Sequence, residues 1–158
     1  MSAARRVPGA ELVIKVHPSE RSDAFDGWNA RVVREGTAPR LIRDADAVIV
    51  STSTSGLEAC ALGKPVIVVR TGGVRVFPQY EAHGAVLFAS DADGLLAHLT
   101  SLRNDPNLRA ALHRNRRVLT EDLFDGMRAG ASGRIAEAIR HGARERFAAP
   151  GDSVRRQA

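Results

Sequence analysis

Ala47 to Val69 reads AVIVSTSTSGLEACALGKPVIVV, and this stretch decides the fold. Two of its segments, AVIV (Ala47 to Val50) and VIVV (Val66 to Val69), are apolar throughout, as expected for strands buried on both faces. The intervening segment has helical character and is closed by Gly63 as C-cap and by Pro65. A strand, a helix and a second strand joined by short connections form a βαβ unit, which makes the sheet parallel. Five consecutive hydroxyl side chains, Ser51 to Ser55, precede Gly56 at the start of the helix. Two readings compete for them. Ser55 and Glu58 spell the capping box S-x-x-E, which needs no ligand. The same helix start, beyond the carboxyl end of a buried strand, is also where α/β proteins bind ligands and where a dipole and N–H groups favour an anion. Five hydroxyls exceed what one cap uses, and Gly56 would let a phosphate approach the backbone closely. Glu58, one turn in, has two acceptor oxygens suited to the vicinal hydroxyls of a ribose. Phosphate at the tip and ribose at Glu58 together describe a nucleotide.

Strands and helices alternate on either side of this unit. ELVIKVH (Glu11 to His17) is a β-branched run stopped by Pro18, and ARVVRE (Ala30 to Glu35) ends at Gly36. TAPRLIRDAD reads as a short helix, with Thr37 as N-cap and Pro39 in the first turn. AVLFAS (Ala85 to Ser90) is the last strand. Beyond Asp91 the pattern is helical only. Leu95, Leu96, Leu99 and Leu102 share one face up to Pro106, and Leu108, Leu112, Leu119 and Leu123 share the next. A further helix is expected from Ser132 to about Phe147, with Ile135 and Ile139 on one face. The organisation expected is an N-terminal arm (1–10), one domain (11–147) and a disordered tail (148–158).

With 158 residues and 44% hydrophobic content, the chain supports one ordinary core. No apolar run is long enough to span a bilayer, and the N-terminus lacks the apolar core of a signal peptide. The single Cys60 gives no disulfide framework. A cytoplasmic location is expected, at the inner face of the membrane if the basic surface makes a peripheral contact. The formal charge of +5 suits polyanions, acidic membrane surfaces or phosphorylated small molecules. Aromatic content of 4% leaves few stacking platforms, which argues against nucleic acid.

A second motif, KVHPSE (Lys15 to Glu20), ends the first strand. His17 lies at the carboxyl edge of the sheet that carries the hydroxyl cluster, and a histidine there can give a proton to a departing phosphate. The triplet DAD occurs at Asp44 to Asp46 and at Asp91 to Asp93, where helix ends and caps account for it. His83, His98, His113 and His141 lack metal-ligand spacing, so no metal is expected.

The KVHP strand end, the DADAVIVSTSTSGLEACALGKPVIVV block and FPQYEAHGAVLFASDADGLLAHL resemble the C-terminal domain of GT-B glycosyltransferases, nearest to the capsule and surface-polysaccharide type. The His-Pro pair and serine cluster are similar to those of bacterial sialyltransferases of that fold. SGLEACALGKPVIVVR is also similar to the non-hydrolysing UDP-N-acetylglucosamine 2-epimerases. The likeness covers roughly Leu12 to Leu119. It implies an α/β, Rossmann-like parallel sheet of about five strands with flanking helices and a helical C-terminal region. It further implies that Ser53, Thr54, Ser55 and Gly56 bind the phosphate of a nucleotide-sugar donor and that Glu58 binds its ribose. By the same resemblance Lys15 and Gln79 would complete the substrate-binding set, Gln79 from the loop after VIVV, and His17, as the catalytic residue, would contact the donor phosphate or act as acid on the leaving group. The donor is a substrate, and no resident cofactor is expected. An acceptor-binding N-terminal domain or partner chain would complete the enzyme. An epimerase-like isomerase and a truncated, non-catalytic nucleotide-binding module are the alternatives. The first strand of such a sheet has no counterpart in these residues. Its two neighbours, around Leu12–Val16 and Ala47–Val50, are expected to close up and pair directly in the order 3-2-4-5-6.

Overall fold

The computed structural model describes residues 6–17, 19–25, 27–70, 72, 77–124 and 129–147. The chain divides into two compact units, residues 1–126 and 127–158. In the first, β1 (Val13–Lys15), a 3-10 turn (Ser22–Phe25), β2 (Arg31–Val33), α1 (Ala38–Asp44), β3 (Val48–Val50), α2 (Ser55–Ala61), β4 (Val66–Val69), α3 (Pro78–His83), β5 (Leu87–Ala89), α4 (Ala92–Asn104) and α5 (Pro106–Phe124) follow in order. The second contains α6 (Ala131–Phe147), on which Ile135 and Ile139 stand one turn apart. The expected disordered tail lies outside the described residues.

Every strand pairing is parallel, and helices flank the sheets, which is the α/β, Rossmann-like architecture read from the sequence. The sheet itself is smaller than expected. The strands fall into two sheets, β1-β2 and β3-β4-β5, so the direct pairing of Leu12–Val16 with Ala47–Val50 does not occur. The expectation rested on the cost of burying unpaired backbone groups, about 1–3 kcal/mol each. That cost is absent here. Val13, Ile14 and Lys15 are only partly buried and Ile49 is 37% exposed, so water reaches both edges and nothing drives closure.

The core is organised around β4, the middle strand. Its side chains alternate between faces, as a pleated strand requires. Val66 and Val68 join Ile42 of α1, Ala59 and Cys60 of α2, Tyr80 of α3 and Leu119 of α5. Ile67 points the other way, into a cluster with Ala89, Leu102 of α4 and Leu112 of α5. Val66, Ile67 and Val68 all have 0% exposure, which explains the apolar run.

Local signals fix the ends of the helices. The Asp91 carboxylate accepts from the Gly94 N–H at 2.7 Å and caps α4. Asp105 does the same for α5 through Asn107 and Leu108. Gly63, at φ 73°, closes α2: Lys64 N–H donates to Ala59 O and Gly63 N–H to Cys60 O, a Schellman motif. Arg116, 3% exposed, donates from Nη2 to Gly63 O at 3.1 Å, placing a cation at the negative end of α2. The arm packs back on α4, with Arg6 paired to Asp93 at 2.6 Å and Arg103 donating to Pro8 O.

Cys60 lies beside Arg116 in the core. Burial pushes its thiol from the usual 9.0 up to about 11, and the neighbouring guanidinium only partly offsets this. The folded chain therefore holds this proton more tightly than the unfolded one. Its contribution to stability is complete below pH 9 and is lost as pH rises toward about 11. Urea unfolding across that window should show a falling midpoint, and Cys60→Ala should flatten the fall. The same slope in both proteins would place its cause elsewhere.

Candidate functional site

The carboxyl ends of β3, β4 and β5 lie side by side in one sheet and carry Ser51 to Ser55, Arg70 and Asp91 respectively. Crevices outside such strand ends are where parallel sheets hold ligands. The β3–α2 turn is built by its own hydroxyls. Ser53 Oγ accepts from the Ser55 N–H at 3.2 Å and donates to Ser55 Oγ at 3.0 Å. Thr54 occupies the N-cap position without a side-chain cap bond. Gly56 N–H donates to Ser53 O, and Leu57 and Glu58 N–H groups to Thr54 O. The capping box between Ser55 and Glu58 is therefore not what starts this helix, since Ser55 is its first residue and Ser53 supplies the side-chain acceptor. The first helical N–H groups are engaged within the turn. The donors it offers outward are hydroxyls: Ser55 Oγ accepts from Ser53 and keeps its own proton to donate.

Gly56 has a packing reason to be glycine. It is buried, and a Cβ there would stand 2.5 Å from the Tyr80 hydroxyl and 3.1 Å from Val50 Cγ2. Tyr80 itself is 2% exposed, and its hydroxyl finds no hydrogen-bond partner. Burial in this apolar wall also pushes the phenol up from its ordinary value. Tyr80 thus supports the start of α2 from below. Glu58 is exposed, one turn above it.

The remaining candidates divide. His17 is exposed, and its Nδ1 accepts from the Ser19 N–H at 3.2 Å while lying 2.7 Å from Ser19 Oγ. A ring whose Nδ1 accepts carries its proton on Nε2 when neutral, which leaves Nε2–H as a donor. Its backbone is tied by Glu20 through His17 N–H to Oε2 at 3.2 Å. His17 follows β1, however, and the hydroxyl turn follows β3, so the two motifs belong to different sheets. Lys15 is spent locally. Its Nζ donates to Val16 O and Arg34 O, both at 3.0 Å, and ties the ends of β1 and β2. Gln79 lies in the first turn of α3, not in a loop, with Oε1 buried and unpartnered.

Sequence reasoning passed over Arg70. It follows β4 directly, lies 4.0 Å over the Phe88 ring and pairs with Glu81. Its position at a strand's carboxyl end was the available signal. Among the described residues no group of three or more His, Cys, Asp or Glu is placed to hold a metal ion. Nor is any described helix long and apolar enough to cross a membrane.

A family model described as glycosyl transferases group 1 matches residues 33–118, more than half of the chain. The chain belongs to this family. The match runs from β2 through most of α5 and contains the whole hydroxyl turn. Among solved structures, the glycosyltransferase SnogD from Streptomyces nogalater is similar at 26% identity and TM-score 0.54, over 71% of this chain and 31% of that one. The spinosyn rhamnosyltransferase SpnG, complexed with spinosyn aglycone, is similar at 24% identity and TM-score 0.56, over 75% of this chain and 35% of that one. A UDP-N-acetylglucosamine 2-epimerase is similar at 22% identity and TM-score 0.55, over 82% of this chain and 41% of that one. The latter two identities show a shared fold. The chain spans about a third of the length of the two glycosyltransferases. No curated protein matches it significantly.

For this glycosyltransferase-family domain, the contact between Gly56 and Tyr80 sets the floor of the site. Gly56→Ala should cost about 1–3 kcal/mol by overpacking. In a Tyr80→Phe background, where the obstructing hydroxyl is gone, the same change should cost less. A urea-unfolding double-mutant cycle measures that coupling. Equal costs in both backgrounds would show that the hydroxyl does not constrain residue 56.

Proposed function

We propose that this chain is the nucleotide-sugar-binding, C-terminal part of a GT-B glycosyltransferase. The β3–α2 turn would hold the donor's phosphate. The observation that carries this reading is the turn itself. Within the family-matched segment, a cluster of hydroxyls stands at the carboxyl edge of a parallel sheet, with an exposed carboxylate one turn above. Ser55 and Thr54 offer hydroxyl donors, and Glu58 has two free acceptors for the ribose diol. Gly56 keeps that helix start compact, so the phosphate would lie against Ser53, Thr54 and Ser55. Gln79 would approach the sugar from α3. His17 would donate through Nε2 to the leaving phosphate once its strand is fixed beside the turn. The charge leaving with the nucleotide would be met by hydroxyls and basic side chains preorganised for it. Lys15 is the weakest member of this set, because its ammonium already holds two carbonyls.

The reaction would be displacement of the nucleoside phosphate from the anomeric carbon by an acceptor held on a domain or chain outside these residues. Surface-polysaccharide assembly in the cytoplasm, at the inner face of the membrane, is the setting we assign. The resemblance of KVHP and the serine cluster to enzymes of that type supports it.

Titrating the chain with UDP, CMP, CDP and GDP by calorimetry or NMR tests the reading. A half-cleft should bind its preferred nucleotide with a Kd on the order of 1 mM, about −4 kcal/mol. Shifts should centre on residues 53–58. Glu58→Ala should weaken the nucleotide more than inorganic phosphate, because only the nucleotide presents a ribose. Equal weakening of both would leave Glu58 without a ribose role. In a complete enzyme carrying this domain, His17→Ala should lower kcat by about 10²–10⁴-fold with normal folding, as loss of a general acid does. Unchanged turnover would remove His17 from the mechanism.

A further inference from the structure

Residues 127–158 hold most of the protein's net charge. They carry seven arginines against Glu137, Glu145 and Asp152, a net charge of +4. Residues 1–126 carry sixteen basic and fifteen acidic residues, a net charge of +1. Helix α6 belongs to the charged segment. At about 100° per residue, Ala131, Ile135, Ala138, Ile139 and Gly142 fall within about 100° of arc, the i, i+4, i+7, i+8, i+11 pattern of one helix face. Arg134, Glu137 and Arg140 all lie outside that arc. Every residue from 129 to 143 is exposed, Ile135 to 60% and Ile139 to 66%. Neither isoleucine belongs to the two buried clusters of the core. Arg134 donates to Ala129 O at 2.8 Å and Arg140 to Ala136 O at 3.1 Å, which leaves each guanidinium further N–H groups to give.

Helices gain most of their stability by packing an amphipathic face, and Gly133 and Gly142 lower this one's own propensity. Its two isoleucines therefore call for a surface outside the helix, and the charge says which. A second copy would set +4 against +4. A bilayer bearing anionic lipid supplies both requirements. Its acyl chains begin just below the headgroups, within reach of a narrow apolar stripe, and its phosphates attract the basic face. Arginine is the only basic residue type in residues 127–158, apart from His141, and its planar fork suits phosphate.

We infer that α6 lies in the surface of a membrane carrying anionic lipid, with Ile135 and Ile139 at the headgroup boundary and Arg134 and Arg140 on lipid phosphates. This contact would give the membrane setting proposed above its anchoring element. It rests on α6 and not on the nucleotide site, so either reading can fail alone.

Cosedimentation of the full chain with large vesicles tests it, with no nucleotide present. Phosphatidylcholine vesicles containing about 30% phosphatidylglycerol should bind the chain at least tenfold more tightly than phosphatidylcholine alone. Raising salt from about 0.05 to 0.5 M should weaken that binding severalfold. Ile135→Ala with Ile139→Ala should weaken it at least tenfold. Alanine is the best helix former, so this loss would come from the apolar stripe and not from a broken helix. Arg134→Gln with Arg140→Gln should weaken it at least fivefold and make it less sensitive to salt. Ile139→Trp adds a direct readout: its fluorescence should move to the blue with anionic vesicles, against the steady background of Trp28. Equal binding to both vesicle types would overturn the inference, as would no binding to either. Binding that survives the double alanine change would be charge attraction without insertion, and would overturn it too. A blue shift produced by protein concentration alone would assign the stripe to a second copy instead.

Discussion

Complete burial of Val66, Ile67 and Val68 is the constraint on which the rest of this fold depends. A strand with no solvent on either face needs a helical layer on each side and a strand on each edge. β3 and β5 supply the edges. On one face α1, α2, α3 and α5 close over Val66 and Val68, and on the other α4 and α5 cover Ile67. Leu119, with 0% exposure, and Leu112 belong to the two different clusters, so α5 bridges both. Apolar burial at about 25 cal/mol per Å² makes this arrangement the main source of stability, ahead of the surface ion pairs.

That arrangement delivers α2 to the sheet's carboxyl edge in a fixed pose. Its far end is held by the Schellman closure at Gly63 and by Arg116. Its near end rests on Tyr80, which approaches Gly56 more closely than any Cβ would allow. Both supports contain orphaned polar atoms, since the Tyr80 hydroxyl and Arg116 Nε and Nη1 are buried without hydrogen-bond partners. Each such group costs stability, so the core around α2 gives up some free energy to position this helix. The hydroxyl turn above it is held by short local bonds, a rigid mount for whatever it contacts.

The β1-β2 pair is less firmly embedded. Its strands are partly exposed, and Lys15 serves as a tie between their ends. His17 follows β1 on this separate sheet, oriented by Ser19 and Glu20. Within the segment matched by the glycosyl transferases group 1 family, the hydroxyl turn is fixed by the core, whereas His17 follows the short β1-β2 sheet.

The sequence by itself determined the alternation of strands and helices, the parallel pairing, the apolar centre at VIVV and the caps at Asp91 and Gly63. Each of these is a local signal: burial on both faces forces an apolar run, and a helix end needs a side-chain acceptor or a left-handed residue. It also marked the hydroxyl cluster, because five such residues in a row exceed local need. Only the tertiary structure decided what those residues touch. Ser55 and Glu58 fit a capping pattern, yet Ser55 lies inside the helix and its N–H donates to Ser53 Oγ, while the Glu58 N–H is taken by Thr54 O. Gly56 suited a phosphate, yet its neighbour is Tyr80, some twenty residues away in the chain. Lys15 suited a ligand, yet two carbonyls at the strand ends claim it. The split of the sheet was equally hidden. Whether two strands pair depends on what shields their edges from water, and that is a property of the folded surface, not of either strand's sequence.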